Sequence, residues 1–499
     1  MTTLATPGLA TRITWVGTLL ATGAALFGFI RELLMAGTSI SDHHAMSSAT
    51  NPLHGMPLAD MPEMVVAVAG VLLALVGGVA AQATGQSAVA RSGWQPTTRG
   101  ARILVITLLA AALTIDVSKT STLGFVIPGM RQEYGLEPRT ASLLAVAGLT
   151  GTATGALLFG VLADRLGRRH AYLIATLGFT VTSMCGSMTT FTGNVVMCLL
   201  MGVSVGGLAP LLITMLGEFS GNSARGPLTT ALSVVATAVG YLVAAGSALW
   251  LEPIYGWRIM WLIGAPTGAL LVLATPLVPQ HCVTPPAPVA NPAHIASQRA
   301  LSTPVQCAYA MLIGVVTFGL TTWLPTIARA GGVSAGTANL LLTTAALAMV
   351  PFAVLLAFTY LRLGPVALAA GLASATALVL LLLAGSGAAA HHGWLCAVAL
   401  LAALFSVNTM AAVFLPIAAD LADPARRGRV TGTVSFFNRL GGLTGPILLA
   451  GLVASVTDVL VAIAALATAC AVASAVIGRR YRAAARMAVP ATPNSSTNQ

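Results

Sequence analysis

Apolar runs of about 20 residues recur along almost the whole chain, each closed by a short break containing Pro, Gly or Arg. A helix of that length spans the roughly 30 Å hydrocarbon layer of a bilayer. The pattern predicts about 14 such helices, over 13–33, 64–84, 103–128, 140–163, 170–190, 194–217, 228–250, 258–279, 303–326, 336–360, 364–385, 394–419, 430–453 and 456–478. The expected fold class is therefore an all-α integral membrane protein. Arg12 precedes the first run in the manner of a signal peptide, but no clean small-residue cleavage site follows, so the segment reads as a retained anchor.

Composition agrees, since 57% hydrophobic against 7% charged residues excludes a water-soluble domain of this size. A net charge of +11 would suit a nucleic-acid partner, but the basic residues sit in short clusters between apolar runs and read as topology signals. With an even number of spans, 17 arginines fall on one side, and only Arg31, Arg131, Arg139, Arg258 and Arg329 fall opposite. The positive-inside rule then expects both termini in the cytoplasm of a multi-pass cell-membrane protein. Five of the six cysteines lie in expected spans, which is no disulfide framework.

An internal repeat organises the chain after residue 100. GEFSGNSARGPLT and, about 200 residues later, ADLADPARRGRVT both place an acid seven positions before Arg-Gly, so that Glu218/Arg225 matches Asp420/Arg427. ADRLG at 163–167 is echoed by YLRLG at 360–364, with Leu361 in place of Asp164. The expected organisation is an N-terminal pair of extra helices in 1–100, a six-helix half in 101–280, a Pro-rich linker in 281–300, a second six-helix half in 301–480 and a tail in 481–499. Two such halves form a transporter architecture, with binding expected near the midplane between them.

The loop GVLADRLGRR at 160–169 carries Gly160, Asp164, Arg165, Gly167, Arg168 and Arg169. With the Glu218…Arg225 and Asp420…Arg427 pairs, YGWRIMW at 255–261, TTWLP at 321–325 and NRLGGLTGP at 438–446, it resembles the major facilitator superfamily. The likeness is to its metabolite:proton symporters for sugars and aromatic acids, and it covers about 103–480. The resemblance implies a twelve-helix, two-half core, a repeat architecture that this superfamily itself exemplifies. To that core the chain adds two N-terminal transmembrane helices. Independently of the family, Asp164 at a helix end can accept hydrogen bonds from a neighbouring helix N-terminus and pair with arginines across the half, while Gly167 permits a tight turn. These residues, with Glu218, Arg225, Asp420 and Arg427, are the candidate latch on the arginine-rich face.

Three charges fall inside expected spans well away from their ends. Asp116 and Lys119, the chain's single lysine, stand one helical turn apart in TIDVSKTSTLGFVIP, and Arg439 lies in the eleventh helix of the core. A charge near the middle of a spanning helix costs roughly 2.5–3.5 kcal/mol, so such groups usually face a cavity. Asp116, Lys119 and Arg439 are the candidate proton-coupling and substrate residues, and two positive groups favour an anionic substrate, because guanidinium pairs bidentately with carboxylates. The bland readings are a self-neutralised Asp116–Lys119 pair and an Arg439 paired with Asp420 or Glu218. Gln306, Tyr309, Thr317 and Asn408 are further polar positions on helices expected to line a cavity.

The loop of the extra pair holds His43, His44, Met46, His54 and Met56, a set suited to a soft metal such as Cu(I), although its spacing is irregular. No phosphate loop, nucleophile elbow or HExxH sequence appears, so neither an enzyme nor an ATP-driven pump is expected, and no cofactor. ALSVVATAVGYLVAAG lacks the Gly-Pro of drug antiporters. The expected function is proton-coupled uptake of a small organic metabolite, a carboxylate, by alternating access in a monomer. A soft-metal handler, a drug or metabolite exporter and a sensor descended from a carrier remain as alternatives.

Overall fold

The computed structural model describes residues 8–42, 53, 55–57, 60–83, 98–219, 225–279, 304–320, 347, 351–352, 355–386, 407, 409–419, 422, 426–450 and 455–487. The N-terminal pair is α1 (Leu9–Asp42) and α2 (Pro62–Ala83). The first half follows as α3 (Arg99–Tyr134), α4 (Pro138–Leu166), α5 (Arg168–Thr182), α6 (Phe191–Phe219) and α7 (Arg225–Trp250), then the short α8 (Glu252–Tyr255), α9 (Ile259–Leu262) and α10 (Gly264–Leu273). The described part of the second half comprises α11 (Pro304–Leu320), α12 (355–363), α13 (Pro365–Gly385), α14 (Thr409–Ala419), α15 (Arg427–Ala450) and α16 (Val456–Met487). Among the described residues 8 helices are long and apolar enough to cross a membrane, and three apolar stretches are shorter. Parts of the expected spans 303–326, 336–360 and 394–419 lie outside the described residues.

Local chemistry sets the helix ends. Thr98 caps α3 by accepting from the Ala101 amide at 3.2 Å, and Gly135, at φ 62, closes it in the left-handed region. Gly167, at φ 84, is the single residue between α4 and α5, and Gly364, at φ 79, stands in the same way between α12 and α13. The sequence echo ADRLG/YLRLG is thus also a backbone echo, at a conformation that a side chain would strain. The expected span 258–279 is broken into α9, α10 and a 3-10 turn at Thr275–Leu277. Pro266 has no N–H to offer the Leu262 carbonyl, which weakens the ladder where α9 gives way to α10.

Glycine decides how closely the helices approach. A Cβ on Gly155 would sit 2.0 Å from the Val203 carbonyl oxygen and one on Gly206 2.2 Å from that of Thr152, so α4 and α6 touch backbone to backbone. In the second half Gly441 meets the Met311 carbonyl and Gly445 that of Val315, which fixes α15 on α11. The extra pair uses the same device, with Gly17, Gly70 and Gly77 pressed on the facing backbone. Small residues suit lipid, where no hydrophobic effect drives helices together and close packing supplies the attraction. The pair lies against α5 and α10 and so enlarges the first half.

Replacing Gly155 by Val therefore forces α4 and α6 apart. Overpacking of this kind costs about 1–3 kcal/mol. The detergent-solubilised variant should unfold at a clearly lower temperature than wild type, whereas Gly371→Val, which meets no heavy atom within 4 Å, should not. Equal unfolding temperatures for the two variants would contradict this packing.

Candidate functional site

Asp116 sits near the middle of α3 and is 2% exposed, while Lys119, one turn on, is 4% exposed. Packing of α3 against α7 holds this segment, since a Cβ at Gly240 would lie 2.8 Å from the Thr114 carbonyl oxygen and 2.9 Å from the Ser118 amide. The two charges take different partners. Lys119 donates from Nζ to the Trp261 carbonyl of α9 and lies 6.0 Å from the centre of the Phe179 ring. Ser183 and Gly264, both of the first half, lie beside it. Asp116 has Arg439 as its electrostatic partner, and Arg439 comes from the second half.

Arg439 is positioned by its neighbours on α15. Asn438 donates from Nδ2 to the Ala310 carbonyl at 3.0 Å, and the glycines of GGLTG press α15 onto α11. That register lays the guanidinium 5.5 Å from the centre of the Phe318 ring, a cation–π contact. Asp116 Oδ1 is buried without a hydrogen-bond partner among the described residues, as is Arg439 Nε. The carboxylate and the guanidinium thus interact through space across the interface between the halves, and both keep hydrogen-bonding capacity for a third group. The ring contact of Phe125 with Tyr241, centres 5.9 Å apart, lies between the same two helices α3 and α7.

The arginine-rich end shows where the halves meet. Arg429 on α15 pairs through Nε with Asp164 Oδ2 at 3.2 Å, and its backbone amide also donates to that carboxylate. Asp164 therefore sits at the N-terminal turn of α15, where the helix dipole favours an anion. A Cβ on Gly428 would lie 2.6 Å from Asp164 Oδ1, and one on Gly160 3.0 Å from the Gly428 carbonyl oxygen, so glycine at both positions lets the carboxylate reach the helix end. Deeper in the interface Thr214 and Thr431 share a hydrogen bond of 3.2 Å, and Ser233 donates to the Ala412 carbonyl at 2.7 Å.

The remaining candidates divide. Arg168 is an electrostatic neighbour of Asp164, whereas Arg169 turns into its own half and donates to the carbonyls of Val278 and Pro276 beyond α10. Arg165 lies in the last turn of α4, and Arg427 begins α15 and is 2% exposed. The side chains of Glu218 and Arg225, and all of Asp420, His43, His44, Met46, His54 and Asn408, lie outside the described residues. Met56 is described and pairs by its backbone with the 187–188 turn, its amide donating to the Ser187 carbonyl at 2.7 Å. Among the described residues no three His, Cys, Asp or Glu side chains converge as metal ligands. Gln306 and Tyr309 are buried and line one small cavity with Phe414 and Ser474.

Sequence reasoning missed Arg429 as the partner of Asp164. The run Arg426-Arg427-Gly428-Arg429 contained the signal, because a residue two positions beyond the expected Arg427 still lies in the first turn of the same helix.

Residues 108–331 match the family model of the Major Facilitator Superfamily. The benzoate transport protein of Acinetobacter baylyi is 31% identical over 180 residues, 35% of this chain and 38% of that protein, so the match spans well under half of that relative. The putative niacin/nicotinamide transporter of Bacillus subtilis is 26% identical over 370 residues, 68% of this chain and 86% of that protein. Among solved structures, the proton:xylose symporter bound to 6-bromo-6-deoxy-D-glucose superposes with a TM-score of 0.61 at 16% identity, over 75% of this chain and 95% of that one. The helical architecture, the signature loop at the junction of α4 and α5, and these matches agree: this chain is a multi-pass membrane protein whose residues 108–331 match the major facilitator superfamily and whose named relatives are transporters.

Proposed function

We propose that the chain is a proton-coupled carrier for a small organic carboxylate that works by alternating access, with its arginine-rich face in the cytoplasm. The observation that carries this reading is the buried Asp116, on the first half, with the half-buried Arg439, on the second, as its electrostatic partner. Removing one member of such a pair leaves an uncompensated charge in low dielectric, at a cost of several kcal/mol. An arriving carboxylate satisfies Arg439 bidentately and displaces Asp116 from it. Asp116, now without its counter-charge, is neutralised by a proton from the same side. Substrate anion and proton then share the site with no net buried charge gained, and the halves can rock around them. The names of the relatives, which include transporters for benzoate, gallate and niacin, point to an aromatic carboxylate, and the Phe318 ring beside Arg439 suits one.

The Asp164–Arg429 contact supports the alternating part. It closes the arginine-rich end by an ion pair and a helix-end hydrogen bond, both of which must break for that end to open. Lys119, held on the Trp261 carbonyl, ties α3 to α9 and supports the site from behind.

Three outcomes test the proposal in reconstituted vesicles. Asp116→Asn should abolish accumulation against a gradient while counterflow exchange of a carboxylate continues; uphill accumulation by this variant would remove Asp116 from the coupling step. Arg439→Lys keeps the charge but loses the planar fork, and should weaken apparent substrate affinity by about tenfold, ~1.4 kcal/mol. Unchanged affinity would place the substrate elsewhere. Asp164→Asn should speed labelling of a cysteine placed at Thr214, inside the arginine-rich closure, by several-fold, and an unaltered rate would leave Asp164 no part in the latch.

A further inference from the structure

Two hydrophobic cores run through the described residues, and they divide the molecule unevenly. One, around Leu109, Leu212, Ala310 and Val413, is shared by the two halves and includes no described residue of the N-terminal pair. The other brings Leu53, Met61 and Met64 of the pair together with Leu177, Met184 and Trp261, and includes no described residue of the second half. By its core, the pair is built into the first half alone.

Its seat follows α5 from end to end. Near the arginine-rich end a Cβ on Gly78 of α2 would lie 3.5 Å from the His170 ring. At the other end Gly28 of α1 presses on the side chain of Met184, in the 3-10 turn Ser183–Ser187 that follows α5. There the segment between α1 and α2 also pairs its backbone with the first half: the Met56 amide donates to the Ser187 carbonyl at 2.7 Å, in a bridge of Met56 with Met188. Arg31 of α1 pairs with Glu63 of α2 at 2.5 Å, which ties the two helices together at the same end.

This segment covers Arg258, which is 1% exposed. Gly55, at φ 69, lays its backbone on the guanidinium, where a Cβ would sit 2.7 Å from Nη1. Beneath it Arg258 pairs with Glu133 of α3 at 2.5 Å and donates to the carbonyls of Gly186 and Met188 at 2.8 and 2.6 Å. Trp257 donates to the other Glu133 oxygen at 2.7 Å. With water kept out, such bonds act in a low dielectric and hold more firmly. They fix the far end of α3 to the start of α9, the helix whose Trp261 carbonyl accepts from Lys119.

We propose that the N-terminal pair is a static brace: it closes over Arg258, which holds the end of α3, and it travels with the first half as one body when the halves rock. The inference rests on the carrier reading, in which rocking of the halves gives alternating access. It assigns the segment around Gly55 and Met56 no gating movement.

The test places cysteines at Met56 and Met188 in the full chain. Bridged backbones lie roughly 4.8 Å apart, within reach of a disulfide. After oxidation, reconstituted protein should take up radiolabelled benzoate at the rate of the reduced form. Uptake that falls several-fold on oxidation and returns with reductant would overturn the brace, and so would failure of the disulfide to form. Thr214→Cys with Thr431→Cys, whose hydroxyls stand 3.2 Å apart in the wild type, is the control across the halves, and its oxidation should stop uptake. Should that control leave uptake intact, the carrier reading fails on its own, and a measurement that needs no substrate decides the brace. Hydrogen exchange of the control protein, locked by oxidation and released by reductant, should show equal rates in the segments 53–57 and 183–188. Faster exchange there on release would make the segment a moving gate and overturn the proposal.

Discussion

Neither a carboxylate nor a guanidinium can be left alone in hydrocarbon, and here the two stand on opposite halves of one molecule, Asp116 on α3 and Arg439 on α15. Each neutralises the other only while the halves hold their relative position, or while a third charged group takes the place of one of them. The energetics of the site and the arrangement of the halves are therefore a single problem. A ligand that binds one state better than the other shifts the equilibrium by its differential affinity and no more. In the proposed exchange one proton travels with one carboxylate and no net charge crosses the membrane, so accumulation is driven by the pH gradient and not by the membrane potential.

Such a problem is solvable only if each half is stiff. Backbone contacts at Gly155 and Gly206 in the first half, and at Gly441 and Gly445 in the second, lock helix pairs at separations that no side chain permits. Between the halves α15 also approaches α4 closely, a Cβ on Gly432 lying 2.5 Å from the Ala156 carbonyl oxygen, and polar contacts join it: Asp164 with Arg429, Thr214 with Thr431 and Ser233 with the Ala412 carbonyl. Groups of this sort can exchange their partners for water when the interface opens, whereas the interior of each half has no such exchange available. Lys119 belongs to the stiff part, since its ammonium is held by the Trp261 carbonyl within its own half.

Much of this was legible in the sequence because membrane chemistry writes in long words. Apolar runs marked the helices, and the echo of ADRLG in YLRLG marked both the repeat and the two positive-φ glycines, Gly167 and Gly364. Charges in spans marked Asp116, Lys119 and Arg439. Spacing could not assign partners. One turn of helix puts Asp116 and Lys119 near each other, but the carboxylate faces Arg439, 323 positions later in the chain, and the ammonium faces α9. Arg169 read as a latch residue like its neighbours, yet it binds the carbonyls beyond α10, because α5 begins there and points that side chain back into the half. The break at Pro266 and the network around Arg258 depend on contacts between segments far apart in sequence, which periodicity does not record.

Proton uptake on substrate binding tests the central claim most directly. Purified protein in weakly buffered solution would be mixed with an aromatic carboxylate while pH is followed with an indicator dye. The account predicts that binding takes up a proton in wild type and that Asp116→Asn binds the same compound without uptake. Binding with no proton uptake in wild type, or equal uptake in the variant, would contradict the exchange of Asp116 for substrate at Arg439.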